Sequence, residues 1–517
     1  MNNCCNCMGY HEQPLDWLME EMRRVINEWA EVKKENEDFT KDINGKIVIL
    51  EKDFADLKTY VDNYFANLDV QDEVNKKLDQ MYQDGTLTEI ITNYFYSIFI
   101  NVKYPPYNLA GLKGDGVTDD STSLQAIFDY LEANNISARV YFPCGNYLIN
   151  SLINIKSRHI LIEGEERAGS KIINNSVTGL FLIYKNDSTN LNFVRFENLF
   201  IAAGDNDLSN SPAISFKNAS YCEIERVSIY NHVKYVELDK AQGTHVYDLH
   251  CNNETAKENV CGIKIMDRCV SSRFLRCTFN FILNTGNVYG IYTDTFAQDI
   301  YIERLETTGC LWAVYLKNTT SNYPGDIMIL NSVIDLVSGG FVRLIDIGGG
   351  TGGNNGIIIQ NAYITSAEGQ TSKNLVRLEN CKNAVLKNLE FFNVAEASNI
   401  TCISLVNCNN MIISENLFAD YARDIVAVSC AYLNMINNIM KHDIPTTMSA
   451  ITCQSLVYSL FNANTIEGNM TGAFSVDANS SYDSQSFNII HGTHGSTASN
   501  TFLATDSVQQ YNIINRE

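Results

Sequence analysis

Residues 114–149 read GDGVTDDSTSLQAIFDYLEANNISARVYFPCGNYLI, and this stretch decides the fold. Gly114 and Gly116 permit a tight turn, and Asp120 or Ser121 is placed to cap a helix by accepting hydrogen bonds from its first free N–H groups. Leu124, Ile127, Phe128 and Leu131 then recur at helical spacing. Val140 to Phe142 and Tyr147 to Ile149 read as two short strands around a turn at Pro143 to Asn146. A short amphipathic helix followed at once by such strands suits the closed end of a long stack of strands, which needs a lid over its last apolar layer.

The strings GDGVTDDSTSLQAIFDYL and VYFPCGNYLI resemble the opening of pectate-lyase-like right-handed β-helix proteins, common among phage tailspikes and capsule depolymerases. The resemblance implies that these residues build the N-terminal cap and first coil. It implies no reaction, because the family holds lyases, hydrolases, epimerases and proteins without known catalysis.

From there to about Asn488 the chain repeats. Each unit has an apolar residue, any residue, Asn or another polar residue, an apolar residue, any residue and usually a further apolar one, as in Phe196-Glu197-Asn198-Leu199-Phe200-Ile201. Further copies centre on Arg226, Asp248, Arg276, Arg304, Asn331, Asn361 and Asn388, and less regularly on Asn416, Asn438, Asn464 and Asn488, at spacings of 22 to 30 residues. That is one turn of a solenoid with three short strands, about 12 rungs in all, and too short for βα units. The period-two pattern slips at the central residue, so the chain must bend there, and Asn tolerates the left-handed conformation that such a bend demands. Stacked Asn side chains at 331, 361, 388 and 416 are expected to hydrogen-bond along the axis. Cys251 and Cys277 fall at inward positions of this frame.

A second strand of each rung aligns as well. Ile214 to Lys217, Val236 to Asp239, Ile263 to Met266, Ile291 to Asp294, Val314 to Lys317, Val342 to Ile345 and Val376 to Glu379 share one phase, with the first and third residues inward. One outer column therefore reads Ser215, Glu237, Lys264, Tyr292, Tyr315, Arg343, Arg377. Its neighbour reads Lys217, Asp239, Met266, Asp294, Lys317, Ile345, Glu379. With rungs about 4.8 Å apart, Glu237 to Arg343 spans about 19 Å, the length of a short oligosaccharide. Glu237 and Asp239 would hold carboxylates about 6.5 to 7 Å apart, and Asp239 and Asp294, two rungs apart, about 9.6 Å, near the roughly 6.5 to 9.5 Å of an inverting glycosidase. Glu237, Asp239 and Asp294 are the candidate catalytic residues. Lys264, Tyr292, Tyr315, Lys317, Arg343 and Arg377 are the candidate substrate-binding ones. A lyase would instead use Lys264, Arg343 or Tyr292 to remove a proton beside a uronate, with cations neutralising it. The bland alternative is a solvated sheet, which carries charges at outward positions anyway.

The remaining strand offers a rival face, with His250, Glu306 and Asp335 outward beside Tyr363 and Glu390. No zinc, Walker, dinucleotide or serine-triad motif occurs in suitable context, and Gly348 to Gly353 reads as a loop between rungs. No cofactor is implied. Cys4, Cys5, Cys7 and His11 form one clustered run without a second pair, a weak metal signal.

Ahead of the repeats, Leu15, Leu18, Met22, Val25, Trp29, Val32, Phe39 and Ile43 step by three and four, broken by polar Asn36, and the pattern resumes from Ile47 to Leu68. This predicts an α-helical coiled coil of about seven heptads with one phase shift beside Gly45. Its bulky Trp29, Phe39 and Tyr64 suit a wide, trimeric seam. Residues 69–87 continue as a helix that Gly85 stops, and resemble a connector of tail-fibre and tailspike proteins from phages of Gram-positive bacteria. The expected organisation is a tip at 1–14, a trimerising and virion-attaching stalk at 15–69, a helical connector at 70–106, an all-β parallel β-helix at 107–490 and an end segment at 491–517.

The formal net charge of −22 argues against nucleic acid, whose phosphates need a basic face. No apolar run approaches the roughly 20 residues of a membrane span, and the start lacks the pattern of a signal peptide. Fifteen cysteines without framework spacing point to packing residues made in a reducing compartment, the host cytoplasm. Together with the resemblance, these observations give a phage tailspike or receptor-binding protein of the virion tail: a homotrimer docked to the virion through its N-terminal region, which binds and depolymerises a host-surface glycan by hydrolysis or lyase cleavage. The rival from another class is a purely adhesive receptor-binding fibre. A cellular polysaccharide lyase or epimerase is a third reading, which the coiled coil disfavours.

Overall fold

The computed structural model describes residues 99–491, apart from positions 185–192, 205–210, 283, 297, 320–325, 338, 348–355, 367–372, 393–399, 482 and 487, with a few helical positions between 52 and 59 and short strands at Thr501–Phe502, Val508–Gln510 and Ile513–Asn515. The expected tip, nearly all of the coiled coil, the connector up to residue 98, the Cys4 to His11 run and the Gly348 to Gly353 loop lie outside the described residues. The chain divides into two compact units, Met1–Ile91 and Thr92–Glu517. β-structure begins at Phe99–Asn101, inside the stretch expected as a helical connector, and this strand pairs with Ala138–Phe142.

The cap forms at the expected place. The helix Ser121–Ala133 buries Leu124, Ile127, Phe128 and Leu131, and strands Ala138–Phe142 and Gly145–Ile149 follow it. Its start differs in one respect. Asp120 makes no capping bond with its side chain; its carboxylate turns back to accept the Lys113 and Gly114 amides at 2.6 and 3.0 Å. Asp119 supplies the helix start instead, accepting from the Ser121 amide at 2.9 Å. The tight turn explains the exchange, because it carries the 113–114 amides past Asp120 and leaves them needing an acceptor.

Above the cap the rungs repeat as a strand on a first face, a sharp bend, a strand on a second face, a loop, a strand on a third face and a turn back. In one rung these strands are Val194–Glu197, Phe200–Ala203 and Pro212–Lys217. The ladders that join successive rungs are parallel on all three faces. Inward positions are aliphatic or aromatic and fully buried, among them Ile214, Val236, Ile263, Ile291, Val314 and Val342, and Phe391 lies flat on Phe418 at 5.0 Å. Cys251 and Cys277 are buried as predicted. Like residues thus stack on like, which gives the interior apolar columns that run from rung to rung.

The bends fall where the repeat places them. Asn198, Arg226, Asp248, Arg276, Arg304, Asn331, Asn361 and Asn388 all have φ between 51° and 57°. Asn361 donates to the Asn331 carboxamide oxygen at 3.0 Å and accepts from Asn388 at 2.9 Å. The expected continuation to Asn416 is incorrect. From there the bend passes to Glu415, Asn437 and Ala463, and Asn416, Asn438, Asn464 and Asn488 point inward as a second, fully buried ladder. In it Asn416 donates to Asn438, Asn438 to Asn464 and Asn464 to Asn488, at 2.9, 2.9 and 3.0 Å. Each of these donors also reaches a backbone carbonyl, as Asn438 does to Ile413 at 2.9 Å. An amide with two donor hydrogens serves both directions, whereas an apolar residue there would leave buried partners unpaired.

Asn361→Val is expected to destabilise the solenoid by about 2–3 kcal/mol, the sum of left-handed strain on a β-branched residue and two lost amide bonds. Urea unfolding measures it, and an unchanged midpoint would contradict the assigned bend.

Candidate functional site

The third face carries the constellation that the alternation predicts. Hydrogen-bonded register places Ser215 beside Glu237, Glu237 beside Lys264, Lys264 beside Tyr292, Tyr292 beside Tyr315, Tyr315 beside Arg343 and Arg343 beside Arg377. Six of the nine candidate residues therefore stand in one column on successive rungs. Asp239 lies beside Lys217 in the neighbouring column. Asp294 and Lys317 follow the paired residues Thr293 and Leu316, which puts them on adjacent rungs of that second column. Beyond Arg377 the first column turns to Ser404, Val426 and Thr452, so the ionisable groups occupy only its lower rungs.

At the centre three tyrosines form one cluster. Tyr292 and Tyr315 stack at 5.3 Å, and Tyr289 lies 4.4 Å from Tyr292 and 5.6 Å from Tyr315. The Arg343 guanidinium sits over Tyr315 at 5.3 Å and over Trp312 at 6.0 Å. The same guanidinium and that of Arg377 converge on one oxygen, Glu379 Oε1, with Nε distances of 3.0 and 2.9 Å. This network fixes two planar cations beside two aromatic faces, so little side-chain freedom remains to be lost when a ligand docks. On the lower side, Lys234 approaches Glu237 at 3.8 Å.

Burial and then a hydrogen bond with Asp294 raise the Tyr292 pKa well above that of an ordinary phenol. A phenol that resists ionisation is a proton donor at neutral pH and a poor base. Arg343, always charged and engaged by Glu379, is no base either. Of the three bases considered for a lyase, Lys264 is the one that this geometry leaves. Asp294 accepts the Tyr292 hydroxyl, and Lys317 holds the same column on the next rung.

Trp312, Tyr289 and Lys234 escaped the sequence reading. Each third-face strand has two consecutive inward residues, such as Tyr235 and Val236 or Ala313 and Val314. This kink breaks strict alternation and hides an outer column one step earlier, in which Tyr289 is beside Trp312 and Trp312 beside Gly340. Extending the aligned strands by two residues would have found the aromatic pair. Gly340 is required there, since a Cβ would lie 2.5 Å from the Trp312 ring.

The rival second face is less concentrated. His250 and Glu306 share a column two rungs apart, through Thr278. Asp335 does not join them: it pairs beside Thr308 in the neighbouring column and accepts a hydrogen bond from Thr365 at 2.5 Å, while Val333 stands next to Glu306. The reason is the two-residue stride of a strand, which puts 333 and 335 on the same face in different columns. Burial lowers the His250 pKa, and Arg167 adds to that effect. Among the described residues no group of three or more His, Cys, Asp or Glu is placed to hold a metal ion.

Residues 99–334 match the family described as rhamnogalacturonase A/epimerase, pectate lyase-like. A probable glucan endo-1,3-beta-glucosidase of Arthroderma benhamiae is 44% identical over 63 residues, 12% of this chain and 7% of that protein's own length. Among solved structures, two variants of the tailspike protein of E. coli bacteriophage HK620, each in complex with a pentasaccharide, superpose with TM-scores of 0.59 and 0.58 at 12% identity. The first match covers 81% of this chain and 82% of that one, the second 82% and 79%. At this identity the likeness is one of fold: a pectate-lyase-like parallel β-helix whose structural neighbours include phage tailspikes.

Proposed function

We propose that this pectate-lyase-like solenoid binds and depolymerises a host-surface glycan along its third face, as the receptor-binding tailspike of a phage. The observation that carries the reading is the Tyr289, Tyr292, Tyr315 and Trp312 group fixed against Arg343, with the carboxylates of Glu237, Asp239 and Asp294 on the same face. Aromatic faces stack on the apolar sides of sugar rings, and a carboxylate set beside them supplies acid and base for glycosidic cleavage. In a chain of net charge −22, this face gathers six cations, Lys217, Lys234, Lys264, Lys317, Arg343 and Arg377, against four carboxylates, Glu237, Asp239, Asp294 and Glu379. The local excess of two positive charges supports a glycan that carries acid groups. The family description over residues 99–334 and the pentasaccharide bound to the HK620 protein support a polysaccharide ligand.

In this reading the N-terminal residues form the trimeric stalk, 15–69, that docks to the virion, and the connector hands over to the solenoid near residue 99. Tyr292, held protonated, is no base, so a lyase on this face would rely on Lys264, whereas a hydrolase would rely on Glu237, Asp239 and Asp294. Incubating the full-length protein with envelope polysaccharide tests it, by size reduction of the polymer and by the absorbance of any unsaturated uronate. Binding without either signal would leave the adhesive fibre as the reading.

Tyr315→Ala is expected to weaken glycan binding about 3- to 10-fold, the effect of one stacking face worth about 0.5–1.5 kcal/mol. Titration calorimetry with glycan fragments reads this directly. Equal affinity in the variant would move the binding surface away from the third face.

A further inference from the structure

The bend between the first and second faces changes character along the solenoid. On four successive rungs it carries Arg226, Asp248, Arg276 and Arg304, and above them Asn331, Asn361 and Asn388, all left-handed. Asn adopts that backbone conformation with least strain, so a longer side chain there needs compensation. Arg226 has it: Nε donates to the Asn198 carboxamide oxygen at 2.7 Å, and the two terminal nitrogens pair with Glu225 and Glu197. Arg276 and Arg304 have none. Among the described residues neither forms an ion pair or donates a hydrogen bond, and the same holds for Arg273, three residues before Arg276 on the first face.

The neighbouring carboxylates are engaged by other groups. Glu303 accepts the Tyr301 hydroxyl on Oε2 at 2.7 Å and the Asn331 amide on Oε1 at 3.2 Å. Asp248, one rung below Arg276, faces Arg167, whose Nη1 lies 3.5 Å from its Oδ2. Glu306 points outward from the second face and pairs with no cation among the described residues. The Arg276 amide donates to the Glu303 carbonyl at 2.9 Å, which sets Arg276 beside Arg304, and Arg273 is beside Tyr301. Three exposed guanidiniums therefore gather over two rungs.

We infer that Arg273, Arg276 and Arg304 form a second oxyanion site, separate from the third face, which takes an acid group of an anionic polymer. A guanidinium is a planar fork of donors that matches two oxygens of a carboxylate, phosphate or sulfate group. Two such forks on rungs about 4.8 Å apart repel each other until an anion bridges them. The chain, at net charge −22, has carboxylates in excess and still leaves these three arginines unpaired, two of them in a conformation that suits Asn better. Local strain without structural gain marks a functional position. With Glu303 and Glu306 beside them the local excess is a single positive charge, which suits a singly charged group: a uronate carboxylate, a sulfate ester or a phosphodiester.

This corner joins the first and second faces and so lies across the solenoid from the third. A strand held here leaves the Tyr292 and Tyr315 platform open, and two contacts with one repeating polymer raise its effective concentration at the third face. That advantage rests on the glycan reading above; the oxyanion site stands without it.

Titration calorimetry on the full-length protein at low salt tests the site with two probes, an oligogalacturonate and a glycerol-phosphate oligomer of equal charge. At least one probe is expected to show a binding event that the double variant Arg276→Asn/Arg304→Asn weakens about tenfold or more, as loss of charge-assisted hydrogen bonds should. The probe that responds tells a carboxylate from a phosphodiester. Because Asn is the residue of the upper bends, the double variant is expected to keep or raise the urea midpoint, so that lost binding is not lost fold. The inference is overturned if neither probe binds, if affinity is unchanged in the double variant, or if Arg343→Ala abolishes the same event, which would place it on the third face. A clearly lower urea midpoint would also overturn it, by making the arginines structural. Tyr315→Ala reports on the third face alone, so failure of the glycan reading is distinguishable from failure of this one.

Discussion

Asp294→Asn is expected to reduce glycan depolymerisation at least about a hundredfold while leaving glycan affinity within about threefold, as loss of an acid–base group without loss of shape should. The amide keeps the size of the side chain and still accepts the Tyr292 hydroxyl, but it neither holds nor releases a proton at the scissile bond. Asp239→Asn should lower turnover for the same reason. Lys264→Ala then divides the chemistries: a lyase that relies on this amine loses nearly all turnover, whereas a hydrolase loses mainly affinity for acidic glycans. Arg343→Ala should act on affinity in either case, because Arg343 is engaged with Glu379, Trp312 and Tyr315. Initial rates of reducing-end formation, beside calorimetric binding, separate these outcomes. Full activity in both Asp239→Asn and Asp294→Asn would remove the third face as the catalytic site, and Glu306 and Asp335 would be the next carboxylates to replace.

His442→Leu is expected to cost about 3–5 kcal/mol of stability at neutral pH, the usual penalty for stripping a buried charge of its partner. His442 Nε2 lies 2.8 Å from Asp424 Oδ2, and both side chains are completely buried. Burial opposes charge on His442, but the adjacent carboxylate and its hydrogen bond outweigh it, so the His442 pKa is raised. Burial also raises that of Asp424, against the opposing pull of His442. Both shifts are upward, so the folded chain holds the pair's protons more tightly than the unfolded chain does. His442's contribution is therefore complete below its unfolded value of about 6.5 and is lost as pH rises through its raised folded value, and Asp424's share, of the same sign, is complete below its unfolded value of about 4 and is lost as pH rises through its own raised value. Chemical unfolding from pH 5 to 9 should show this decline in the natural chain. In His442→Leu the histidine's share of the decline should be absent, and the lone Asp424 should instead weaken the fold progressively above pH 4. A variant within about 1 kcal/mol of the natural chain throughout would show that the pair contributes no net stability.

Local pattern was enough for the cap, the repeat, the bends and the register of the third face. Each depends on residues a few positions apart: helical spacing at Leu124 to Leu131, a left-handed residue at the first bend of each rung from Asn198 to Asn388, and strand alternation at Ile214 to Lys217 and its copies. Because a solenoid stacks each rung on the next, one correct phase carries the candidate site through all its rungs, and Glu237, Lys264, Tyr292, Tyr315, Arg343 and Arg377 fall in line. Tertiary structure decided what depends on neighbouring rungs. The inward turn of Asn416, Asn438, Asn464 and Asn488 follows from carbonyls and amides that other rungs present to them. The placing of Trp312 over a side-chain-free Gly340, the Arg343 and Arg377 grip on Glu379, and the burial that keeps Tyr292 protonated arise in the same way. Spacing along a chain sets which way a side chain points; only the packed stack sets what it meets there.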